Sequence, residues 1–195
     1  MTVRLQYPFT LDQIRSLRIG DRVEVTGRIV TGRDRLHRHL AESDTVPISL
    51  RDGAIYHCGP VVVRRGREWA VLAAGPTTSM REEPYMAEVM AKYGLRVIIG
   101  KGGMGRATAE ACRRLGGVYL EAVGGAAQVL ARAVRRVLGV HFLKAFGTAE
   151  AMWVIEVEGF PALVTMDTHG DNLHDAIEDR SRQALQMLLK ESRVL

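Results

Sequence analysis

The hydrophobic pattern of the first 74 residues predicts mainly β-strands. The segment Arg22–Thr31 alternates hydrophobic and polar positions and is rich in valine, which is typical of a half-buried strand. A short helix is expected directly after it, with Asp34 as its N-cap. Connections this short favour partly antiparallel pairing. The other strands predicted here are Pro47–Leu50, Ala54–His57, Val61–Val63 and Trp69–Ala74.

From residue 75 onward, helical and strand patterns alternate along the chain. One helix is expected to begin between Ser79 and Glu83 and to end at Gly94, since Ser79 and Glu82 have the spacing of a capping box. Alternating strands and helices produce parallel βαβ units. The further predicted elements are strands at Arg96–Ile99, Val118–Val123, Ala151–Val157 and Ala162–Asp167, and helices at Thr108–Leu115, Ala126–Leu138 and His174–Glu191.

We therefore expect a single α/β domain over residues 1–195, with a β-rich part (1–74) and a βα-alternating part (75–195). Hydrophobic residues make up 47% and charged residues 25% of the chain, which excludes a disordered chain, a collagen-like fibre and a coiled coil. No stretch is apolar enough to span a membrane, and an export signal is not expected. The two separated cysteines, Cys58 and Cys112, fit a reducing cytoplasm and cannot form a cysteine-ligated metal centre alone.

The net charge of +5 suits an anionic partner: nucleic acid, phosphate or a small polyacid. Arginines outnumber lysines 23 to 4, and arginine binds carboxylate or phosphate through two parallel bonds. Aromatic residues make up only 6%, so no stacking platform for nucleic acid is evident, and a basic scaffold or nucleic-acid-binding module is the least favoured alternative. The predicted helix at 126–138 places Arg132, Arg135 and Arg136 on its outward face. This face is expected either to be solvated or to bind a partner.

The glycine-rich segment Gly100–Gly105 follows a predicted strand and precedes a predicted helix. Its sequence, GKGGMG, satisfies G-x-G-x-x-G, and Glu121 follows the next strand, so an NAD-linked oxidoreductase is one hypothesis. That fingerprint normally opens its domain, whereas this loop lies behind a β-rich region. The second hypothesis is that the loop frames Lys101, with free N–H groups of the following helix completing an anion-binding corner. A purely structural turn would explain the glycines but not the lysine.

The segment GPTTSMR, which ends at Arg81, lies between a predicted strand and a predicted helix. It therefore belongs at the C-terminal end of a strand, where ligand sites of open α/β sheets gather. Three consecutive hydroxyl residues followed by an arginine form a plausible carboxylate site. The alternative is helix capping by Thr78 or Ser79, with Arg81 paired to Glu82 or Glu83.

Several motifs occur in a fixed order along the chain. They are TGRD with His37 three residues after its aspartate, HCGPVV at His57–Val62, GPTTSMR at Gly75–Arg81, GKGGMG at Gly100–Gly105, and further on FGTAEAMWVIEVEGFPALV and DTHGDNL. Together they resemble the beta subunit of the iron–sulfur hydro-lyases, namely class I fumarase and L-tartrate dehydratase. The resemblance covers residues 3 to 175, nearly the whole chain.

The resemblance implies a swivelling β/β/α domain, with a parallel central sheet, helices on one side and a smaller antiparallel sheet on the other. It implies the beta subunit of a fumarate hydratase of the tricarboxylic acid cycle, located in the cytoplasm, with L-tartrate dehydratase as the alternative. The [4Fe–4S] cluster would be held by a separate alpha subunit, none being bound by this chain alone, and activity would require that subunit. No nucleic acid or membrane is expected as a partner, and whether the isolated chain forms a homodimer stays open.

The resemblance also assigns roles to individual residues. Arg33, Arg81 and Lys101 are implied as ligands of the substrate carboxylates, with Thr77 and Thr78 beside them. Thr77 is further implied as the catalytic proton-transfer residue. A threonine hydroxyl is a poor base, so it needs neighbouring positive charge or a relay. Asp34 and His169 are both candidates for a supporting residue that contacts one of these side chains rather than the substrate.

Overall fold

A computed structural model describes residues 2–191 of the chain. Within this range the strands are β1 (Thr2–Gln6), β2 (Arg22–Gly32), β3 (Ala54–His57), β4 (Val61–Arg65), β5 (Glu68–Ala73), β6 (Val97–Gly100), β7 (Val118–Glu121), β8 (Val134–His141) and β9 (Met152–Met166). The helices are α1 (Leu11–Arg15), α2 (Asp34–Glu42), α3 (Glu83–Tyr93), α4 (Arg106–Leu115), α5 (Ala127–Ala131), α6 (Leu143–Phe146) and α7 (Leu173–Glu191), and a 3₁₀ turn at Ser79–Glu82 precedes α3.

Seven strands form one sheet in the order β1-β2-β3-β6-β7-β9-β8. The pairings from β1 to β7 are parallel, and those made by β9 are antiparallel. Strand β9 pairs with β7 and also with β2, so β2, β3, β6, β7 and β9 form a closed ring of hydrogen-bonded neighbours. The sheet thus unites strands from both the β-rich and the βα-alternating parts of the sequence.

Alternation along the strands divides the apolar residues into two cores. Tyr56 and Ile99 face one core, while their neighbours Ile55 and Ile98 face the other, because successive side chains of a strand point to opposite faces. The second core also contains the buried faces of α2, α3 and α4. The small antiparallel sheet β4–β5 packs on the first core, partly through Trp69. The expected α/β architecture, with a mostly parallel sheet, helices and a small antiparallel sheet, is confirmed.

The predicted helix at 126–138 is wrong. Only the short α5 is helical there, and the rest forms the edge strand β8. Of the three arginines expected on an outward helix face, Arg132 directly follows α5 and the other two lie on β8. There Arg135 pairs with Glu158 at 2.8 Å and Arg136 with Glu156 at 2.6 Å. These glutamates belong to β9, so the pairs stabilise the pairing between two strands rather than a helix surface.

Smaller differences concern element boundaries. The strands predicted at Ala151–Val157 and Ala162–Asp167 are one continuous strand, β9, because β2 pairs with it from Val154 to Leu163, across the predicted gap. Pro47–Leu50 is not a strand. Asp34 is the first residue of α2 rather than its N-cap, which is Arg33. The predicted end of α3 is confirmed, since Gly94 caps that helix in the left-handed conformation with φ 65°.

Within the described residues, no helix is long and apolar enough to cross a membrane.

Candidate functional site

The residues predicted to bind a ligand lie where β2, β3 and β6 end. The segment containing Thr77 and Thr78 runs between the ends of β3 and β6. On one side the Thr77 N–H donates to the His57 carbonyl oxygen at 2.6 Å, and on the other Thr78 pairs with Lys101 in an isolated parallel bridge. Arg33 directly follows β2. Because β2, β3 and β6 run parallel, these residues share one edge of the sheet, which we call the carboxyl edge.

Arg81 joins the same edge through a double ion pair with Asp34. Its Nε donates to Oδ1 at 3.0 Å and its Nη2 to Oδ2 at 2.6 Å. The alternative in which Arg81 pairs with Glu82 or Glu83 is therefore wrong. The Arg81 side chain is 54% exposed, and Nη1 has no bonding partner among the described residues. One edge of the guanidinium is thus oriented by Asp34, and the other is free to meet a ligand.

The Arg33 guanidinium lies between Gly59 and Glu150. Its Nε is 3.6 Å from Glu150 Oε1, and a Cβ on Gly59 would come within 2.9 Å of Arg33 Cδ. The other oxygen of Glu150 accepts the backbone N–H of Arg35 at 3.0 Å, in the first turn of α2. Glu150 therefore fixes the start of that helix and the Arg33 side chain together. Spacing gives no indication of this role, although Glu150 stands in the FGTAE motif.

Lys101 differs from the two arginines in having no acidic partner within the described range of residues 2–191. Among the described residues, no carboxylate lies within 4.0 Å of its ammonium group. The hydroxyls of Thr77 and Thr78 likewise make no hydrogen bond to any described side chain or backbone group. A positive charge and two hydroxyls therefore stand at the carboxyl edge without partners in the part of the chain that the structure describes.

A buried hydrogen-bond network centred on Ser79 lies beneath this edge. Ser79 Oγ accepts the backbone N–H of Lys101 at 3.2 Å and the Tyr119 hydroxyl at 2.8 Å. Ser79 Oγ also lies 2.8 Å from Nδ1 of His57, so it joins the two side chains and the Lys101 backbone. Ser79 therefore serves this network, and no side chain caps the turn as the expected capping box would.

Glu82 and His37 are fully buried next to the network. Nδ1 of His37 donates to the Arg33 carbonyl oxygen at 2.9 Å and lies 3.7 Å from Glu82 Oε2. Neither oxygen of Glu82 has a hydrogen-bond partner within the described part of the chain. Burial lowers the pKa of His37 to about 4. Burial, reinforced by the Asp34 carboxylate, raises the pKa of Glu82 to about 8, so both groups are mainly uncharged at neutral pH.

The glycine loop does not provide the free anion-binding amides expected from its sequence. Glu83 accepts the N–H groups of Gly105, Ala107 and Thr108 at 2.8–3.2 Å, which occupies the start of α4. Glu121 accepts the N–H of Gly102 at 2.9 Å. The anion-binding corner predicted at this helix is therefore wrong, and a dinucleotide pyrophosphate would meet two carboxylates here.

His169 lies away from the other candidates. Because β9 is antiparallel to β7, the loop after β9 lies at the opposite edge of the sheet. There, Nε2 of His169 is 2.9 Å from the carbonyl oxygen of Arg15. The supporting role left open for this histidine is therefore wrong, whereas Asp34 does contact a site residue, Arg81.

The cysteines do not fit an iron–sulfur cluster. Cys58 and Cys112 are buried in different apolar cores. Burial raises the pKa of each thiol to about 12, whereas cluster ligands are thiolates. Within the described residues, no group of three or more histidines, cysteines or carboxylates is arranged to hold a metal ion.

Comparisons with known proteins agree with the order of the motifs. The sequence matches the family described as fumarase C-terminus over residues 1–177. A "Putative fumarate hydratase class I" from Geobacillus stearothermophilus is 50% identical over 184 residues, which are 94% of this chain and 35% of that protein. The "L(+)-tartrate dehydratase subunit beta" of Escherichia coli K12 is 37% identical over 171 residues, covering 87% of this chain and 85% of that protein.

A third relative matches nearly end to end. The "Putative L(+)-tartrate dehydratase subunit beta" of Methanocaldococcus jannaschii is 34% identical over 193 residues, or 95% of this chain and 99% of that protein. The chain thus spans about a third of the Geobacillus protein and most of each beta subunit. The match to the family extends over most of the sequence. The chain therefore belongs to the fumarase C-terminus family.

Proposed function

We propose that this chain is the beta-type component of a hydro-lyase that reversibly hydrates fumarate to L-malate, and that it supplies the cationic half of the dicarboxylate site. The names of its relatives support a hydro-lyase, since one is named a fumarate hydratase and two are named tartrate dehydratase beta subunits. L-Tartrate dehydratase is therefore the second candidate. Both reactions remove water from a hydroxydicarboxylate.

The observation that carries this proposal is the set of cations at the carboxyl edge. A dicarboxylate needs positive charge at both ends, and three separate segments supply it here. Arg33 follows β2, Arg81 precedes α3, and Lys101 follows β6. Arg81 keeps a free guanidinium edge and Lys101 has no acidic partner among the described residues, so both are available to carboxylates.

Charge development in the reaction explains why fixed cations are useful. Dehydration removes a proton from the carbon next to one carboxylate and a hydroxyl from the neighbouring carbon. The electron pair of the broken C–H bond becomes the new C=C bond, and negative charge builds transiently on the adjacent carboxylate. Arg81 is held in place by Asp34, and Arg33 packs against Gly59 beside Glu150, so their charges are oriented before the substrate arrives.

We assign the proton transfer to Thr77. Its hydroxyl has no other partner among the described residues, and its backbone is fixed by the bond to His57. The backbone of the neighbouring Thr78 pairs with that of Lys101, so we expect the Lys101 ammonium to lie near this part of the edge. That charge would favour the alkoxide form that a threonine needs to accept a proton.

The remaining part of the site would come from a partner. The thiols of this chain do not fit an iron–sulfur cluster, so we assign the [4Fe–4S] cluster to a separate alpha subunit, where it would act as a Lewis acid. In the Geobacillus relative the additional length would contain the corresponding domain. We expect the complex in the cytoplasm, since Cys58 and Cys112 are free thiols.

Reconstitution with a cysteine-bearing alpha chain from the same organism tests this function. The complex should dehydrate L-malate or L-tartrate, and the chain alone should dehydrate neither. Arg81→Ala and Lys101→Ala should each lower kcat/KM roughly 10- to 100-fold or more, because each removes a charged contact to substrate.

Arg113→Ala is the matched control for Arg81→Ala. Arg113 is 58% exposed and makes the same double ion pair, with Glu110, on the outer face of α4. This variant should keep wild-type activity. Turnover of neither substrate by the complex would refute the function. Equal activity of the Arg81, Lys101 and Arg113 variants would refute the assigned site.

A further inference from the structure

Four residues beneath the carboxyl edge carry buried polar atoms that have no hydrogen-bond partner among the described residues. They are Arg33 at Nε, His37 at Nε2, His57 at Nε2 and Glu82 at both carboxyl oxygens. Glu82 is the most costly of these to ionise, because a buried carboxylate without hydrogen bonds loses its hydration without compensation. Its protonation state should therefore respond strongly to charges placed nearby.

Charged groups surround Glu82 on several elements. The cations are Arg33 and Arg81, and the anions are Asp34 and Glu150. Two buried histidines also lie close: His37 is 3.7 Å from Glu82, and the His57 ring packs against the His37 ring at 4.7 Å. Burial lowers the pKa of both histidines, so neither adds a charge at neutral pH. These groups lie on five segments of the chain: Arg33 at the end of β2, Asp34 and His37 in α2, His57 at the end of β3, Arg81 in the 3₁₀ turn, and Glu150 before β9.

Charge balance at this edge depends on Glu82. Around Glu82 itself, the cations Arg33 and Arg81 balance the anions Asp34 and Glu150. This cluster is therefore neutral when Glu82 is protonated and carries one negative charge when Glu82 is ionised. A dicarboxylate brings two negative charges, so its binding favours the protonated form of Glu82 by Coulomb repulsion through a poorly hydrated interior.

We propose that Glu82 is the proton-linked group of this site: when a dicarboxylate binds at the carboxyl edge, the Glu82 carboxylate takes up a proton from solvent. The new O–H bond forms on a Glu82 carboxyl oxygen, and the buffer acid supplies the proton. Glu82 acts here as a positioning residue: by taking up the proton it removes a negative charge next to Arg33 and Arg81 while the substrate is bound. This inference rests on the proposed function, because it needs a dianionic ligand at Arg81 and Lys101.

The pH range of the effect follows from the raised pKa of Glu82, about 8 in the free protein. At pH 8 close to half of the molecules hold an ionised Glu82, so binding should take up about half a proton per site. At pH 6 Glu82 is already protonated, and uptake should be close to zero.

Isothermal titration calorimetry of the full chain with L-malate and with L-tartrate, in buffers of different ionisation enthalpy, measures this uptake. The observed heat should vary with buffer enthalpy at pH 8 and not at pH 6. Glu82→Gln should bind the same ligand at pH 8 without the buffer dependence. Glu110→Gln, which changes a 53% exposed glutamate outside this edge, should keep it.

A second measurement does not depend on any variant folding. In infrared difference spectra of the wild-type chain at pH 8, ligand should increase the band of a buried, protonated carboxylic acid. Binding without proton uptake, or equal uptake by the wild type and Glu82→Gln, would overturn the inference and leave the proposed function standing. If neither dicarboxylate binds to the isolated chain, the same titration is made with the reconstituted complex, and absence of binding there would refute the proposed site and the inference with it.

Discussion

At the scale of single residues, the carboxyl edge combines exposed charges with buried groups that sequence alone does not reveal. Arg81 and Lys101 stand out in the sequence because they occur in compact motifs. The carboxylates that accompany the site arginines do not stand out, since Asp34 is distant in sequence from Arg81 and Glu150 is distant from Arg33. The burial of Glu82 is less predictable still, because a glutamate at the start of a helix is normally exposed.

The pKa of Glu82 predicts how stability depends on pH. The ordinary pKa of a glutamate is 4.5, and Glu82 has a pKa of about 8 in the folded chain. Between these values the folded state holds a proton that the unfolded state has lost, so this group lowers stability as pH rises from 4.5 to 8. The free energy of unfolding of Glu82→Gln, relative to wild type, should therefore increase from pH 5 to pH 8 in urea titrations.

The control for this prediction is Glu110→Gln. Arg113 lowers the pKa of Glu110, so replacing that glutamate should produce no comparable rise over the same pH range. A stability difference for Glu82→Gln that stays constant between pH 5 and pH 8 would contradict the raised pKa.

At the scale of elements, Glu83 links two helices that frame the site. It lies at the start of α3, and its carboxylate accepts three backbone N–H groups at the start of α4 as well as the Thr108 hydroxyl at 2.6 Å. Glu83→Ala should lower the free energy of unfolding by about 1–3 kcal/mol, because four donors, three of them in part-buried hydrogen bonds, lose their acceptor. Chemical denaturation measures this change.

Glu88→Ala is the matched control for that prediction. Glu88 is an exposed glutamate on the same helix, and alanine has the higher helix propensity. Its replacement should change stability by less than about 0.5 kcal/mol. Equal losses in the two variants would show that the carboxylate of Glu83 does not cap α4.

Helices and strands with their own hydrophobic periodicity or a capping residue were predictable from the sequence. Elements whose structure depends on pairing with a strand elsewhere in the chain were not. Strand β2 and helix α3 follow clear periodicities, and Gly94 marks the end of α3. Strand β8 has apolar residues at helical spacing, yet it forms an edge strand because β9 offers hydrogen bonds and two glutamates to its arginines. The hydrophobic pattern of one segment does not reveal such cross-strand partners.

At the scale of the whole molecule, the closed ring of strands explains why distant motifs meet. Strands β2, β3 and β6 run in parallel within the ring, so the residues after Gly32, His57 and Gly100 lie side by side. The resemblance to the iron–sulfur hydro-lyases, rather than any local pattern, led us to expect Arg33, Thr77, Arg81 and Lys101 in one site. It could not predict which carboxylates accompany the cations, because those contacts depend on how α2 and the segment before β9 pack.

The central claim is that a small diacid binds where these three strands end. Amide NMR spectra of the isotopically labelled chain, recorded during titration with L-malate and L-tartrate, test it most directly. Saturable shifts should concentrate on residues 33–34, 77–81 and 101–103 for at least one ligand, and Lys101→Ala should weaken them. Shifts centred instead on the arginines of α4, Arg106 and Arg113, or no shifts at saturating ligand, would contradict the claim.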